Sequence, residues 1–397
     1  MTVHTKIAAF EDLLISWRHA LHQHPEICYE EVWTSDFIAD KLASFGIEVV
    51  RGLGQTGLVG ILHGTGYGPD NPGPAIGLRA DMDALPMTEA NDFAHRSQIE
   101  GRMHACGHDG HVTMLLGAAK YLAETRDFAG TVYFIFQPAE EGGAGGKAMI
   151  DDGLFDRFEM RSVWGMHNWP GLPTGHIAVH HGPCMASADH FEITINGRGG
   201  HAAMPHQSVD PVVASAAIIQ SLQTIVARKT DPLDAAVLSI TQMNAGSAFN
   251  VIPDQVVLCG TARALTSDTR QFLEDQIKLM IDQIAKAYGC HAEMDWRVGY
   301  PPTVNDSAMA LRAADIAGQL VGADKLHQDI PASMGAEDFA FMLDERPGAY
   351  IWLGAGEAIP GKMLHNTGYD FNDSILSTGA SYWVRLVESE LSNGPAV

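Results

Sequence analysis

The sequence predicts an α/β fold in which a larger domain of alternating strands and helices is interrupted by a smaller α+β domain. Three observations carry this reading. Apolar segments of strand-like and helical periodicity alternate over most of the chain. Residues able to do chemistry recur where apolar runs end, the place where open α/β sheets put their ligands. Near residue 186 the order changes to a self-contained βαββαβ set, the signature of a ferredoxin-like unit. At 397 residues the chain is also too long for one ordinary core.

Taken in order, Phe10, Leu13, Leu14, Trp17 and Leu21 recur at helical spacing, so residues 9–23 form an amphipathic helix. It stops at His24-Pro25-Glu26, because proline disfavours helical backbone in the residue before it. A second helix is expected over 32–45, with Gly46 as its C-terminal cap. Strands follow at 58–62 and 75–78, the latter leading into Arg79-Ala80-Asp81-Met82-Asp83-Ala84-Leu85-Pro86. Ala105-Cys106-Gly107-His108-Asp109-Gly110-His111 reads as a strand-to-helix turn, with a helix over 112–122 behind it. A buried strand over 131–136 runs into Gln137-Pro138-Ala139-Glu140-Glu141-Gly142-Gly143, and a short strand over 163–168 ends in His167-Asn168.

The inserted set begins with a strand over 191–195 whose apolar residues alternate. It continues as a helix over 210–227, strands at 236–242 and 256–261, a helix over 267–287 with Ser267 as its expected N-cap, and a strand over 291–298. Beyond Tyr300 the larger domain resumes at 308–321, 338–343, 350–354 and 374–391. The domains are therefore 1–185 with 299–397, and 186–298 inserted between them. The glycines of 141–147 lack the spacing of a nucleotide loop and the hydroxyl that follows its lysine.

Composition excludes several function classes. Hydrophobic content of 46% with 18% charged residues fits a folded protein rather than a disordered one. A formal net charge of -23 repels phosphate backbones and anionic lipid, so neither nucleic acid nor membrane is an expected partner. An anionic substrate would need a local cation. Five cysteines, Cys28, Cys106, Cys184, Cys259 and Cys290, make no disulfide framework and fit a reducing compartment. With no signal-like N-terminus and no bilayer-length apolar run, a cytoplasmic location is the default expectation.

The chemistry concentrates on Cys106, His108, Glu140 or Glu141, His167 and His365, each at the end of an apolar run. In extended backbone Cys106 and His108 point the same way, and a thiolate beside an imidazole suits a divalent transition metal. Each residue alone has an ordinary structural reading: a buried thiol, a turn histidine, a solvated pair of glutamates. Together, on separate elements, they describe a metal centre. Neighbouring carboxylates in extended backbone face opposite ways, so one glutamate ligates while the other exchanges a proton with water, as in metal-assisted hydrolysis. Five ligands exceed what one catalytic ion with an open position takes, whereas two ions about 3.5–4 Å apart sharing a ligand accommodate them.

The motifs His24-Pro25-Glu26, 78–86, 103–111, 137–146, 165–168, 199–206, 335–339 and 364–367 together resemble the metallo-amidohydrolase/peptidase family. That family includes hippurate hydrolases, plant indole-3-acetyl-amino-acid hydrolases and N-acyl-amino-acid amidohydrolases. Broader relatives bridge their metals with an aspartate, and Cys106 at that position resembles the cysteine-containing branch. The resemblance implies Cys106 as bridging thiolate, His108 and His167 on one metal, Glu141 and His365 on the other. It implies Glu140 as general base and Asp83 as the carboxylate that orients a ligand. From the inserted domain it implies His201 as oxyanion donor, often reached across a dimer, and Asn250, Arg263 and His206 as substrate contacts, the arginine forking an α-carboxylate. Glu337 and Asp338 are read as a helix start and left outside the set.

The expected activity is hydrolysis of the amide of an N-acyl or N-aroyl amino acid. Two divalent ions (manganese, zinc, cobalt or nickel), a lid-like inserted domain and a homodimer complete the expectation. A dipeptidase or carboxypeptidase of the same fold, and a non-catalytic metal-binding protein, are the alternatives.

Overall fold

The structure, a computed structural model, describes residues 5–66, 68 and 73–392. Helix α1 (Glu11–Gln23) buries Leu14, Trp17 and Leu21, and α2 (Val32–Ser44) ends before Gly46, whose φ of 73° provides the left-handed exit. Strands β1 (Glu48–Leu53), β2 (Gly57–His63) and β3 (Ala75–Asp81) precede α3 (His108–Thr125). Then come β4 (Thr131–Gln137), β5 (Ser162–Pro170) and β6 (Ile177–Val179). The inserted stretch holds β7 (Ala188–Asn196), α4 (Pro211–Thr224), β8 (Ala236–Ala245), β9 (Gln255–Ala264), α5 (Ser267–Ala287) and β10 (His291–Tyr300). The chain closes with α6 (Ser307–Val321), β11 (Leu326–His327), β12 (Gly348–Gly356) and α7 (Leu376–Glu390).

The chain divides into two compact units. One comprises Met1–Gly182, Val304–Pro331 and Phe341–Val397, the other Pro183–Thr303 and Ala332–Ala340. The first is built on a mixed sheet of order β1-β2-β4-β3-β5-β12-β6-β11. Its centre, β4-β3-β5-β12, is parallel, and antiparallel pairings join β1 to β2, β2 to β4 and β6 to β12. Helix α3 is buried on all sides from His108 to Ala119, packed between α1, α7 and the sheet. An apolar helix without a polar face belongs in such a place.

The second unit is a four-stranded antiparallel sheet of order β8-β9-β7-β10. Along β7, Phe191, Ile193 and Ile195 are buried under α4 and α5 while His190, Glu192 and Thr194 face the other way, as period-2 patterning requires. By length and composition Pro211–Lys229 is apolar enough to cross a bilayer, a run the sequence reading passed over. Its Ala214, Ile218 and Leu222 pack into the core of this unit, so the apolar stripe is a packing face.

Several local expectations are corrected. No strand precedes Cys106: residues 101–105 are loop, joined to the fold by the isolated Leu85–Met103 bridge. The helix after it starts at His108 rather than 112, because Gly107 supplies the turn. The cap of α5 is Thr266, whose hydroxyl accepts from the Thr269 N–H; Ser267 is already helical. The helix expected over 210–227 changes to a π-helical turn at Ile225–Lys229, and the one expected over 338–343 runs Ala340–Glu345. Strand β1 was missed because its apolar residues Val49, Val50 and Leu53 do not alternate and only Leu53 is buried, and β6 and β11 because they are too short to show a period.

Candidate metal centre

The loop after β3 organises the site. Asp83 is buried, and its two carboxylate oxygens accept the backbone N–H groups of Glu140 (3.0 Å) and Glu141 (2.9 Å). Its carbonyl accepts the Nδ1–H of His108 at 2.9 Å. One residue thus fixes both the glutamate turn beyond β4 and the first residue of α3. The glutamate turn enters through Ala139 at φ 52°, so the chain is not extended there. Glu140 and Glu141 consequently do not face opposite ways: both bring a carboxylate oxygen to His108, all within 4.8 Å of one another.

Cys106 and His108 converge for a reason other than strand geometry. Gly107 has φ +100°, and a Cβ there would lie 2.1 Å from Asn168 Oδ1 and 2.7 Å from Tyr369 Oη. Only glycine turns the chain this tightly into the start of α3. His365, itself at φ 61°, reaches the same place because its N–H donates to the Ala105 carbonyl at 2.8 Å.

Five side chains from four segments therefore meet. Cys106 Sγ lies 3.3 Å from His167 Nε2, and these two with His108 form one group of potential ligands. Cys106 with Glu141 and His365 forms a second. The imidazoles are oriented for coordination. A carbonyl only accepts, so His108 Nδ1 and His167 Nδ1, which meet the carbonyls of Asp83 and Asn168 (2.6 Å for the latter), carry protons. Both Nε2 lone pairs are left for the centre. His108 Nε2 is buried without a hydrogen-bond partner. Glu141 Oε1 is 3.0 Å from His365 Nε2 without hydrogen-bond alignment, the relation of co-ligands rather than of a bonded pair. Soft sulfur, imidazole and carboxylate donors with orphaned buried atoms fit a pair of divalent transition ions.

The electrostatics agree. Burial, with Glu141, Glu140 and Asp81 nearby, pushes the Cys106 thiol well above its usual range. Burial opposes a charged His108, but Asp81, Asp83 and Glu141 outweigh it and carry the imidazole up to about 10. Burial and the neighbouring His111 keep His167 neutral. Burial disfavours ionised Asp81 too, yet Arg79 and two imidazoles hold its carboxyl well below the ordinary range. The cluster is an anionic pocket, buried except at its Glu141 and His365 side, in which protons and metal cations compete for the same atoms.

Buried polar residues that sequence reasoning left out surround these ligands. Asp81 lies 3.7 Å from His108 Nε2 and 2.6 Å from His111 Nδ1. Asp109 accepts from His22 Nδ1 at 2.8 Å and faces Arg18, which forks onto Asp373. The signal was present: charged and polar residues inside apolar helices, at Arg18, His22 and His111, must be paired. Glu337 and Asp338 are buried in the second unit just before their helix, with Glu337 Oε1 accepting the Phe339 N–H at 2.9 Å.

The remaining candidates lie in the second unit. His201 and Asn250 are brought together: Val251 pairs with His201, and the Asn250 carbonyl accepts the Ala202 N–H at 3.1 Å. His201 is exposed, and its Nδ1 accepts the Ala203 N–H, leaving Nε2–H as a free donor. His206 is exposed on the 3-10 turn Pro205–Gln207. Arg263 lies on β9, half-buried, its side chain making no hydrogen bond or ion pair among the described residues. Burial lowers its pKa, partly offset by Asp189.

Comparison with known proteins adds three findings. Residues 77–389 match the model of peptidase family M20/M25/M40. The chain is 41% identical to the hippurate hydrolase of Campylobacter jejuni subsp. jejuni over 93% of this chain and 94% of that protein, and 38% identical to an N-acetylcysteine deacetylase of Bacillus subtilis over 95% and 97%. Its structure is similar, at a TM-score of 0.84 and 34% identity, to the Bacillus subtilis YXEP protein, described as a dinuclear metal binding peptidase from the M20 family. That likeness covers 98% of this chain and 100% of that one.

Proposed function

Because the chain belongs to peptidase family M20/M25/M40, we propose that it is a di-metal amidohydrolase cleaving N-acyl or N-aroyl amino acids to a carboxylic acid and a free amino acid. The observation that carries this reading is the sharing of Cys106 between two ligand groups, His108 with His167 and Glu141 with His365. Relatives named for hippurate and N-acetylcysteine support the substrate class.

Divalent ions held there supply Lewis acidity toward the scissile carbonyl and lower the pKa of water. Everything else falls to the chain. Glu140, buried beside the ligands, takes the proton of the attacking water and returns it to the leaving amine. Asp83 keeps Glu140 and Glu141 in register through their peptide N–H groups. His201, with a free Nε2–H, meets the developing oxyanion. Arg263, half-buried and with no side-chain partner among the described residues, forks the α-carboxylate, with Asn250 and His206 as further contacts.

The second unit acts as a lid and dimerisation domain. Exposed Met204, Met243, Phe249 and Val251, clustered in sequence around His201 and Asn250, support a homodimer. The five cysteines form no disulfide, which supports a cytoplasmic setting.

The test pairs elemental analysis with a panel of N-acetyl, N-benzoyl and dipeptide substrates on one preparation. Two metals per chain and turnover of the acyl amino acids are expected. Glu140→Ala should keep the metals and lose about 10²–10⁴-fold in kcat. Unchanged turnover by that variant ends the proposal, and preference for dipeptides moves it to a peptidase.

A further inference from the structure

Beside His108 lies a buried chain of side chains that the ligand set does not use. Asp81 is fully buried, and its Oδ2 stands 3.7 Å from His108 Nε2, the nitrogen aimed at the metal centre. That is too far for a hydrogen bond and close enough for the carboxylate to reach an ion held by His108. Both oxygens are occupied elsewhere: Arg79 Nη1 donates to Oδ2 at 2.7 Å, and His111 Nδ1 meets Oδ1 at 2.6 Å. Arg79 is anchored in turn by Gln137 at 2.9 Å. On the far side, His111 Nε2 contacts Asn168, whose carbonyl holds His167 Nδ1. The series Gln137, Arg79, Asp81, His111, Asn168 is buried throughout and ends on a histidine of the ligand set.

We propose that Asp81 is a positioning residue for the His108–His167 half of the centre, held off the ion by Arg79 and His111 so that it supplies negative potential and alignment but no bond. A carboxylate free to swing would close the position that water needs. Clamped, it raises affinity for a dication without filling the coordination sphere, and through His111 and Asn168 it fixes the ring of His167. This rests on the di-metal reading above.

The test titrates metal-free enzyme with Co²⁺ against a competing chelator and records the visible spectrum, including the thiolate-to-cobalt band. Asp81→Asn is expected to weaken one of the two sites about 10–100-fold, leave the other within about threefold, and shift the band, with an unchanged circular dichroism spectrum. His111→Leu should do the same, and it carries the test if Asp81→Asn, which removes the carboxylate facing Arg79, does not fold. His111→Asn keeps a donor where Nδ1 stood and should restore near wild-type affinity. Wild-type affinity and spectrum in both Asp81→Asn and His111→Leu overturn the inference. A wild-type enzyme that binds no Co²⁺ overturns the di-metal reading instead.

Discussion

Replacing Asp83 with asparagine separates the two halves of the metal centre. The carboxylate accepts two peptide N–H groups, at 3.0 and 2.9 Å, in a fully packed setting. Asparagine keeps one acceptor oxygen and turns an NH2 toward the other donor. Losing one charge-assisted bond and orphaning one buried N–H come to about 3–6 kcal/mol, a large part of the roughly 5–15 kcal/mol that holds a typical domain. The lost hydrogen bond falls on the turn of Glu140 and Glu141, and the lost charge is also felt at His108 Nδ1, 3.3 Å from Asp83 Oδ1. His108 is held by the Asp83 backbone carbonyl, which the substitution leaves in place. Asp83→Asn should therefore fold, retain an ion at Cys106, His108 and His167, and lose the one at Glu141 and His365. With Glu140 displaced, kcat should fall at least about 100-fold. Elemental analysis, urea unfolding and kcat on an N-acyl amino acid check this together. Two metals per chain with wild-type kcat would refute the clamp.

Three further outcomes are expected. Gly107→Ala places a methyl against Asn168 in left-handed backbone and should destabilise by about 2–5 kcal/mol, seen as a lower urea midpoint; an unchanged midpoint would mean the turn relaxes freely. His22 is raised to about 9, with burial opposing and Asp109 and Glu89 outweighing it. Its folded value thus exceeds the unfolded one, so its contribution is complete below about pH 6.5 and lost as pH rises through about 9. Wild type should lose roughly 3 kcal/mol more than His22→Gln between pH 6.5 and 9.5, and parallel pH curves would contradict the assignment. Arg263→Ala should raise KM for substrates bearing a free α-carboxylate on the order of 10–100-fold with kcat nearly unchanged; a normal KM assigns the carboxylate to another group.

The elements with strong periodicity were legible in the sequence: α1, α2, α5 and the central strands β3, β4 and β5 stand where residue spacing puts them. So was the four-stranded unit, whose alternating β7 has a clear buried face. Less legible was anything set by backbone away from regular geometry. Gly107 at φ +100° and Ala139 at φ 52° re-aim Cys106, Glu140 and Glu141, and alternation rules written for extended chain fail there. Thr266 and Ser267 are equally good caps by type, and one residue of register decided between them. The buried partners Asp81, His111 and Asp109 were in plain view, but their pairing depends on segments far apart in sequence, such as Arg18 with Asp373.

The distance along the chain between Cys106 and His365 bears on how the protein is made. Ribosomes release the thiol long before the last histidine, and at roughly 5–20 residues per second the interval is on the order of tens of seconds. For most of it the nascent polypeptide offers the sulfur, two imidazoles and the Glu141 carboxylate without the last histidine. Loading of the second ion is therefore an event of the finished chain, and a truncation before His365 leaves Cys106 with only the first of its two ligand groups.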